Sequence, residues 1–347
     1  MNQHLSKIYN QLTGKTFSGA LLAFNQLVIA DPRTGDLYFE TYGVPNTIEL
    51  FNAPYERFIC YEYLMQLLRN EDNAKFSIIH KGTPYYFLAW TAFELRNYSK
   101  AVFYMDLALG EDIRKSSTTQ EALDAPGGNL WKLKPEGPAA RIIQQLHLST
   151  LQAVQGFETR TGIRINIDNF VENFVLVSIM QDVKNRSLIS SLFSYIAEVD
   201  DLMQTLKIRS QNSSSIEPLL SNLLKGGLIF ETLLKMLSDQ KSWVVTSGRF
   251  VGISPGTLGN FKYCNEFLTL FNIQQSDFNT SAPDLTAIVA SATDDSIATS
   301  FSVTAKLRNT AGHDLRKDDI FRNPDDFQLL TQKQINAICY VIRNAFL

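Results

Sequence analysis

The chain has 347 residues, of which 45% are hydrophobic and 19% are charged, and its formal net charge is -3 at pH 7. This length suffices for two domains and a sizeable core, and the composition is that of an ordinary soluble globular protein. The negative net charge argues against a protein that coats nucleic acid by bulk electrostatics, although it is compatible with a local basic site.

Cysteine usage and the distribution of apolar residues predict a cytoplasmic protein. Cys60, Cys264 and Cys339 lie far apart without CxxC spacing, which favours a reducing compartment and provides no thiolate zinc site. The amino-terminal stretch MNQHLSKIYNQL lacks the continuous apolar core of a signal peptide. No run reaches the about 18 apolar residues that cross a bilayer, so no membrane association is expected.

The first 60 residues predict a mixture of elements. LLAFNQLVIA (21–30) fits a helix or a buried strand, DPRTGD (31–36) is a turn signal, and LYFETYGV (37–44) alternates like a short strand. These segments are compatible with a short β-hairpin. From Pro54 onward, apolar residues recur at three- and four-residue steps, which predicts a helix.

A helical hairpin is predicted over residues 83–109, with RNYS (96–99) as its turn. Small residues lie where the two antiparallel helices of a tetratricopeptide-type pair approach each other: Ala89, Ala92, Ala101 and Ala108. Because a repeat array usually needs at least three units, the alternative is one hairpin within an irregular helical domain. The aromatic run YYFLAW (85–90) would suit base stacking, but its helical spacing favours a place in the core.

Residues 124–140 (DAPGGNLWKLKPEGPAA) contain three prolines and three glycines and predict a linker. It separates a helical, tetratricopeptide-like domain (1–123) from a carboxy-terminal domain (141–347). In the latter, apolar periodicity predicts long helices joined by short loops, as in a helical bundle. Gly226 and Gly227 lie inside one of these helices, at a cost of roughly 2 kcal/mol relative to alanine, which predicts close approach of another helix.

The segment LRNTAGHDLRKDD (307–319) places His313 five residues after Arg308. On an ideal helix, positions five apart point about 140° away from each other. Gly312 permits an irregular backbone that would turn His313 back towards Arg308. Chance supplies this spacing in about one chain in six of this composition, so its weight comes from its position in a helical domain.

An arginine beside a histidine suits one chemistry in particular. Cleavage of RNA by its own 2′-hydroxyl needs a proton acceptor and stabilisation of the charge on a pentacoordinate phosphate, roles that histidine and arginine fill. Neither a metal nor a cofactor is required. The acidic pairs are interpreted as solvated helix starts or turns rather than metal ligands: Asp294-Asp295, Asp318-Asp319 and Asp325-Asp326. The other histidines, His4, His80 and His147, are isolated and are interpreted as structural or exposed.

KGGLIFETLLKML (225–237) followed by AKLRNTAGHDL (305–315) resembles the HEPN superfamily, helical-bundle domains that carry an RxxxxH motif, often with a polar residue after the arginine. The resemblance covers roughly residues 165–347 and matches the motif at Arg308, Asn309 and His313. It implies a metal-independent endoribonuclease. Arg308 would stabilise transition-state charge, His313 would act as general base or acid, and Asn309 would position the phosphate or the histidine.

The resemblance also implies a biological context. Two such domains commonly form one composite site, so a chain with a single motif is expected to act as a homodimer that leaves a 2′,3′-cyclic phosphate on RNA. A toxin or antiviral defence effector is the implied role. DLRK follows His313, without the tyrosine of the branch that pairs with nucleotidyltransferase antitoxins. The alternative is a non-catalytic scaffold that dimerises and binds a protein partner through its amino-terminal domain.

Overall fold

In the computed structural model, every described secondary-structure element is a helix, which confirms the predicted mainly α-helical fold. The structure describes residues 73–78, 80–133, 140–208, 216–281, 284–311 and 323–347, with single positions between 58 and 70. The compatible β-hairpin of the first 60 residues lies outside this part of the chain. Two compact units are present, Met1–Leu146 and His147–Leu347. None of the described helices combines the length and apolar character needed to cross a bilayer.

In the described part of the first unit the helices are short or of medium length: α1 (Asn73–Ile78), α2 (Gly82–Glu94), α3 (Tyr98–Lys115), α4 (Thr119–Asp124) and α5 (Pro126–Asn129). Helices α2 and α3 form the predicted hairpin. At its turn the rings of Phe93 and Tyr98 meet edge-on with centroids 5.2 Å apart. Farther along the pair, Tyr85 stacks on Tyr104. Within the aromatic run, residues 86–89 are buried, which confirms its place in the core.

Part of the segment assigned to a linker is packed into the first unit. Gly127 of α5 donates its backbone N–H to Oδ2 of Asp112 on α3 at 2.7 Å. The other oxygen of this buried carboxylate lies 3.0 Å from Nε2 of His80. Trp131, just after α5, is fully buried. A glycine-rich stretch here therefore serves close packing on α3 rather than flexibility.

The described part of the second unit consists of long helices and shorter helical segments. Its elements, from the helix that begins before the division, are α6 (Ala140–Thr161), α7 (Ile167–Asn169), a π-helical segment (Phe170–Leu176), α8 (Val177–Gln181), α9 (Val183–Ile208), α10 (Glu217–Lys241), α11 (Leu258–Phe261), α12 (Asn265–Phe271), α13 (Leu285–Ser291), α14 (Ile297–Ala311) and α15 (Pro324–Ala345). Helix α10 packs against α9, α14 and α15, and α14 packs against α15. Aromatic rings from α10, α12, α14 and α15 meet in the core: Phe230, Phe267, Phe271, Phe301 and Tyr340.

The two adjacent glycines of α10 allow other helices to approach its backbone, as predicted. A Cβ on Gly226 would lie 2.6 Å from Oε1 of Gln334 on α15. A Cβ on Gly227 would lie 2.6 Å from Cβ of Arg308 on α14. Buried hydrogen bonds also connect α9, α10 and α15. The Tyr195 hydroxyl of α9 donates to Oε1 of Gln334 on α15, and Nε2 of Gln334 donates to a backbone carbonyl of α10. Gly227 is thus the member of the pair that lies against Arg308, and Gly226 lies against Gln334.

Candidate functional site

Arg308 lies in the last turn of α14, where a buried helix reaches the surface. The residues before it are fully buried against the core: Phe301, Val303, Ala305 and Leu307. The side chain of Arg308 is itself 34% exposed. Its first carbons rest against Gly227, so the guanidinium leaves the core from a fixed starting point. The apolar face of α14 therefore places this cation at a defined site on the surface.

A buried carboxylate holds the guanidinium. Nε of Arg308 donates to Oε2 of Glu231 at 2.5 Å, and the Glu231 side chain is only 5% exposed. The other oxygen of Glu231 accepts from Nζ of Lys235 at 2.7 Å. One acid and two bases give this group a net charge of +1. Such charge-assisted bonds compensate for the burial of the carboxylate and restrict the arginine to one orientation.

Asn309 connects Arg308 to the loop between α12 and α13. Its Oδ1 lies 3.4 Å from Nη1 of Arg308, and its Nδ2 donates to the carbonyl oxygen of Thr280 at 2.9 Å. Within the described residues, Nη2 of Arg308 has no hydrogen-bond acceptor. In the Arg308 cluster, defined as Arg308, Asn309, Glu231 and Lys235, described residues therefore hold Nε and Nη1 of the guanidinium but not Nη2.

His313 and Gly312 lie outside the described residues, so the convergence of His313 on Arg308 stays a prediction. Arg308 lies one helical turn before Ala311, the last described residue of α14.

Sequence reasoning missed Glu231 and Lys235. They appear in the sequence as a glutamate and a lysine four residues apart, a pattern that usually stabilises an exposed helix face. Nothing local distinguishes this pair from an ordinary surface pair. Its partner Arg308 lies 77 residues further along the chain, and only the packing of α10 on α14 brings the two helices together.

Lys333 and two of the acidic pairs in the second unit have structural roles. Nζ of Lys333, a buried lysine of α15, donates to the carbonyl oxygen of Asp294 and to Oδ1 of Asp295. Asp325 and Asp326 occupy the first turn of α15, as predicted. In the part of the chain that the structure describes, no three histidine, cysteine or acidic side chains are arranged to hold a metal ion.

The remaining described histidines have different surroundings. His80 pairs with Asp112 in the first unit, as described above. His147 is buried and its ring meets that of Phe193 edge-on, with centroids 4.9 Å apart. Lys306, two residues before Arg308, donates to the hydroxyl of Ser291, and burial lowers the pKa of its ammonium group. Among the described residues, neither histidine nor Lys306 belongs to the Arg308 cluster.

Comparisons of the chain with models of protein families, with curated proteins and with solved structures find no match.

Proposed function

We propose that the chain is a metal-independent endoribonuclease of the HEPN type that acts as a homodimer, in the role of a toxin or antiviral defence effector. The observation that carries this proposal is the setting of Arg308. Its guanidinium is fixed at Nε by the buried carboxylate of Glu231, while Nη2 has no acceptor among the described residues. A pre-oriented cation of this kind suits a phosphate on which negative charge develops.

The proposed reaction needs only these protein groups and the RNA. His313 takes the proton of the 2′-hydroxyl, the 2′-oxygen forms a bond to phosphorus, and the bond from phosphorus to the 5′-oxygen breaks. The leaving 5′-oxygen receives a proton from histidine acting as an acid, and a 2′,3′-cyclic phosphate remains. Arg308 stabilises the additional negative charge on the phosphate oxygens, with little reorganisation because Glu231 already holds it.

The other members of the Arg308 cluster are positioning residues. Glu231 sets the orientation of the guanidinium, Lys235 balances the charge of Glu231, and Asn309 contacts the second edge of the arginine. Replacing Glu231 with glutamine keeps the shape but removes the charge. We expect this variant to cleave more slowly than wild type and to retain the dependence on His313.

A direct test compares wild type, Arg308→Ala and His313→Ala on labelled single-stranded RNA in the presence of EDTA. We expect wild-type cleavage that EDTA does not inhibit, and a loss of about 100-fold or more in either variant. Arg343→Ala is the matched control, since Arg343 is an exposed arginine of α15 outside the Arg308 cluster, and it should cleave like wild type. Undiminished cleavage by His313→Ala would refute the assignment.

Two further observations test the assembly and the biological role. Sedimentation of the purified chain should show a dimer, because a composite site needs a second motif. A monomer that cleaves RNA would contradict this part of the proposal. Expression of wild type should slow growth more than expression of His313→Ala. Equal growth, together with no cleavage by wild type, would favour the non-catalytic scaffold instead.

A further inference from the structure

A groove of about 250 Å³ lies between α9 and α10 in the second unit. Lys184 at the start of α9 and Lys225 of α10 line it together with hydroxyl groups and apolar side chains: Ser187, Ser191, Thr232, Leu188, Leu228 and Ile229. Its volume is smaller than the roughly 300–1,000 Å³ typical of sites that enclose a small molecule. The α9–α10 groove is thus better suited to one segment of a longer, polymeric ligand than to a small molecule that is enclosed completely.

The chemistry of this groove favours a phosphate beside an apolar surface. Two lysines from different helices line one small space, an arrangement that an anion between them would stabilise. Leu188 and Ile229 are buried, whereas Leu228 is 45% exposed. The lysines therefore suit the backbone of a nucleic acid strand, and the apolar side chains suit a ribose or base.

Not every group in the groove is available to a ligand without rearrangement. Nζ of Lys225 contacts both carboxylate oxygens of Glu198 at 3.0 Å, so a phosphate would share this lysine with an acid. The hydroxyls of Ser187 and Thr232 donate to backbone carbonyls of their own helices. Glu198 is therefore expected to weaken anion binding at Lys225.

Helix α10 connects the groove to the Arg308 cluster. With 100° per residue, Lys235, Leu228, Thr232 and Lys225 fall within an arc of about 80° on α10, and Glu231 lies about 40° beyond Lys235. Leu228 and Lys235, at 45% and 42%, are substantially exposed. Around a helix about 11 Å wide, the path from Glu231 to the groove is roughly 10 Å. A short stretch of single-stranded RNA spans this distance.

From these contacts we infer that the α9–α10 groove binds the backbone of the single-stranded RNA that the Arg308 cluster cleaves. A phosphate next to the scissile one lies between Lys184 and Lys225, and its ribose or base lies on Leu228. The strand crosses the exposed face of α10 past Thr232. This inference rests on the proposed function, but binding can be measured without cleavage.

The test measures binding of labelled single-stranded RNA to the full chain in a His313→Ala background, over a series of salt concentrations. Replacing Lys184 or Lys225 with alanine should raise Kd about fivefold each. Each replacement should also lower the slope of log K against log salt by about 0.7. Matched controls are Lys207→Ala and Lys241→Ala, exposed lysines at the opposite ends of the same helices, which should change neither quantity.

Glu198→Gln provides a change in the opposite direction. Because it removes the negative charge that Nζ of Lys225 contacts, it should tighten RNA binding and steepen the salt dependence. Unchanged affinity and slope in the Lys184→Ala, Lys225→Ala double variant would overturn the inference. The ribonuclease proposal would then still stand on cleavage that depends on His313.

Two other outcomes separate the proposals. If the double variant binds RNA more weakly while wild type cleaves nothing, the groove is an RNA-binding site and only the ribonuclease proposal fails. Titration with AMP distinguishes a free nucleotide from a strand. If AMP binding requires the two lysines and RNA binding does not, a mononucleotide is the occupant and the inference of an RNA path is overturned.

Discussion

Replacing Gly227 with alanine is expected to destabilise the second unit by about 1 kcal/mol. The added Cβ would lie 2.6 Å from Cβ and 2.9 Å from Cα of Arg308, whereas ordinary van der Waals contact begins at 3.4 Å. Since one of these atoms belongs to the main chain, a different rotamer of Arg308 cannot relieve the contact. Helices α10 and α14 must therefore move apart by several tenths of an ångström.

Two opposing effects determine the magnitude. Overpacking of a helix crossing costs about 1–3 kcal/mol, and a gap of 0.5–1 Å forfeits roughly a quarter to a half of each dispersion contact. Alanine in a helix interior is favoured over glycine by about 1 kcal/mol. Gly110→Ala is the matched control, because a Cβ on this glycine of α3 meets nothing within 4 Å. It should stabilise α3 by about 0.5–1 kcal/mol.

Amide hydrogen exchange followed by mass spectrometry measures each unit separately. Gly227→Ala should speed exchange in α10 and α14 about fivefold, and Gly110→Ala should slow exchange in α3. The same displacement should lower the proposed RNA cleavage, since it moves the guanidinium of Arg308 from its position. Exchange in α10 that stays equal to wild type or becomes slower would refute the reasoning about this crossing.

Three further predictions concern buried and capping groups. Burial raises the pKa of the Cys264 thiol to about 11 and that of the Cys339 thiol to about 12. In a Cys60→Ser variant, neither thiol should therefore react with Ellman's reagent at pH 8 until the chain is unfolded. Rapid reaction of the folded chain would contradict this. Hydrogen bonds from Ser296 lower the pKa of the Asp294 carboxyl group in the folded chain. The ionised carboxylate therefore contributes to stability above the unfolded pKa of about 3.9, and this contribution is lost as the pH falls through the lower native pKa. Asp294→Asn should therefore lose less thermal stability between neutral and strongly acidic pH than wild type, and an identical pH profile would count against this role. Tyr195→Phe leaves the buried side-chain oxygen of Gln334 without its hydrogen-bond donor. The variant should therefore lower the free energy of unfolding of the second unit, measured in urea, by about 1–2 kcal/mol. An unchanged midpoint of urea unfolding would disprove that cost.

Helix locations followed from local sequence. The α2–α3 hairpin, the buried aromatic run and the acidic first turn of α15 all agree with apolar periodicity, turn residues and helix-start signals. Gly226 and Gly227 predicted a close helix approach because glycine in a helix interior has a cost that packing must offset. The sequence did not show which helices approach, and the structure identifies α14 and α15.

At the candidate site, too, the sequence identified some residues and only the tertiary structure identified the others. The sequence by itself singled out Arg308, Asn309 and His313, because their residue types and spacing carry a recognisable chemistry. Only the tertiary structure connected Arg308 to Glu231 and placed Lys184 and Lys225 on one groove. Pattern and propensity are properties of neighbouring residues, whereas these pairings depend on how α9, α10 and α14 align after their apolar faces are buried. That alignment decides which charged residues meet at the surface.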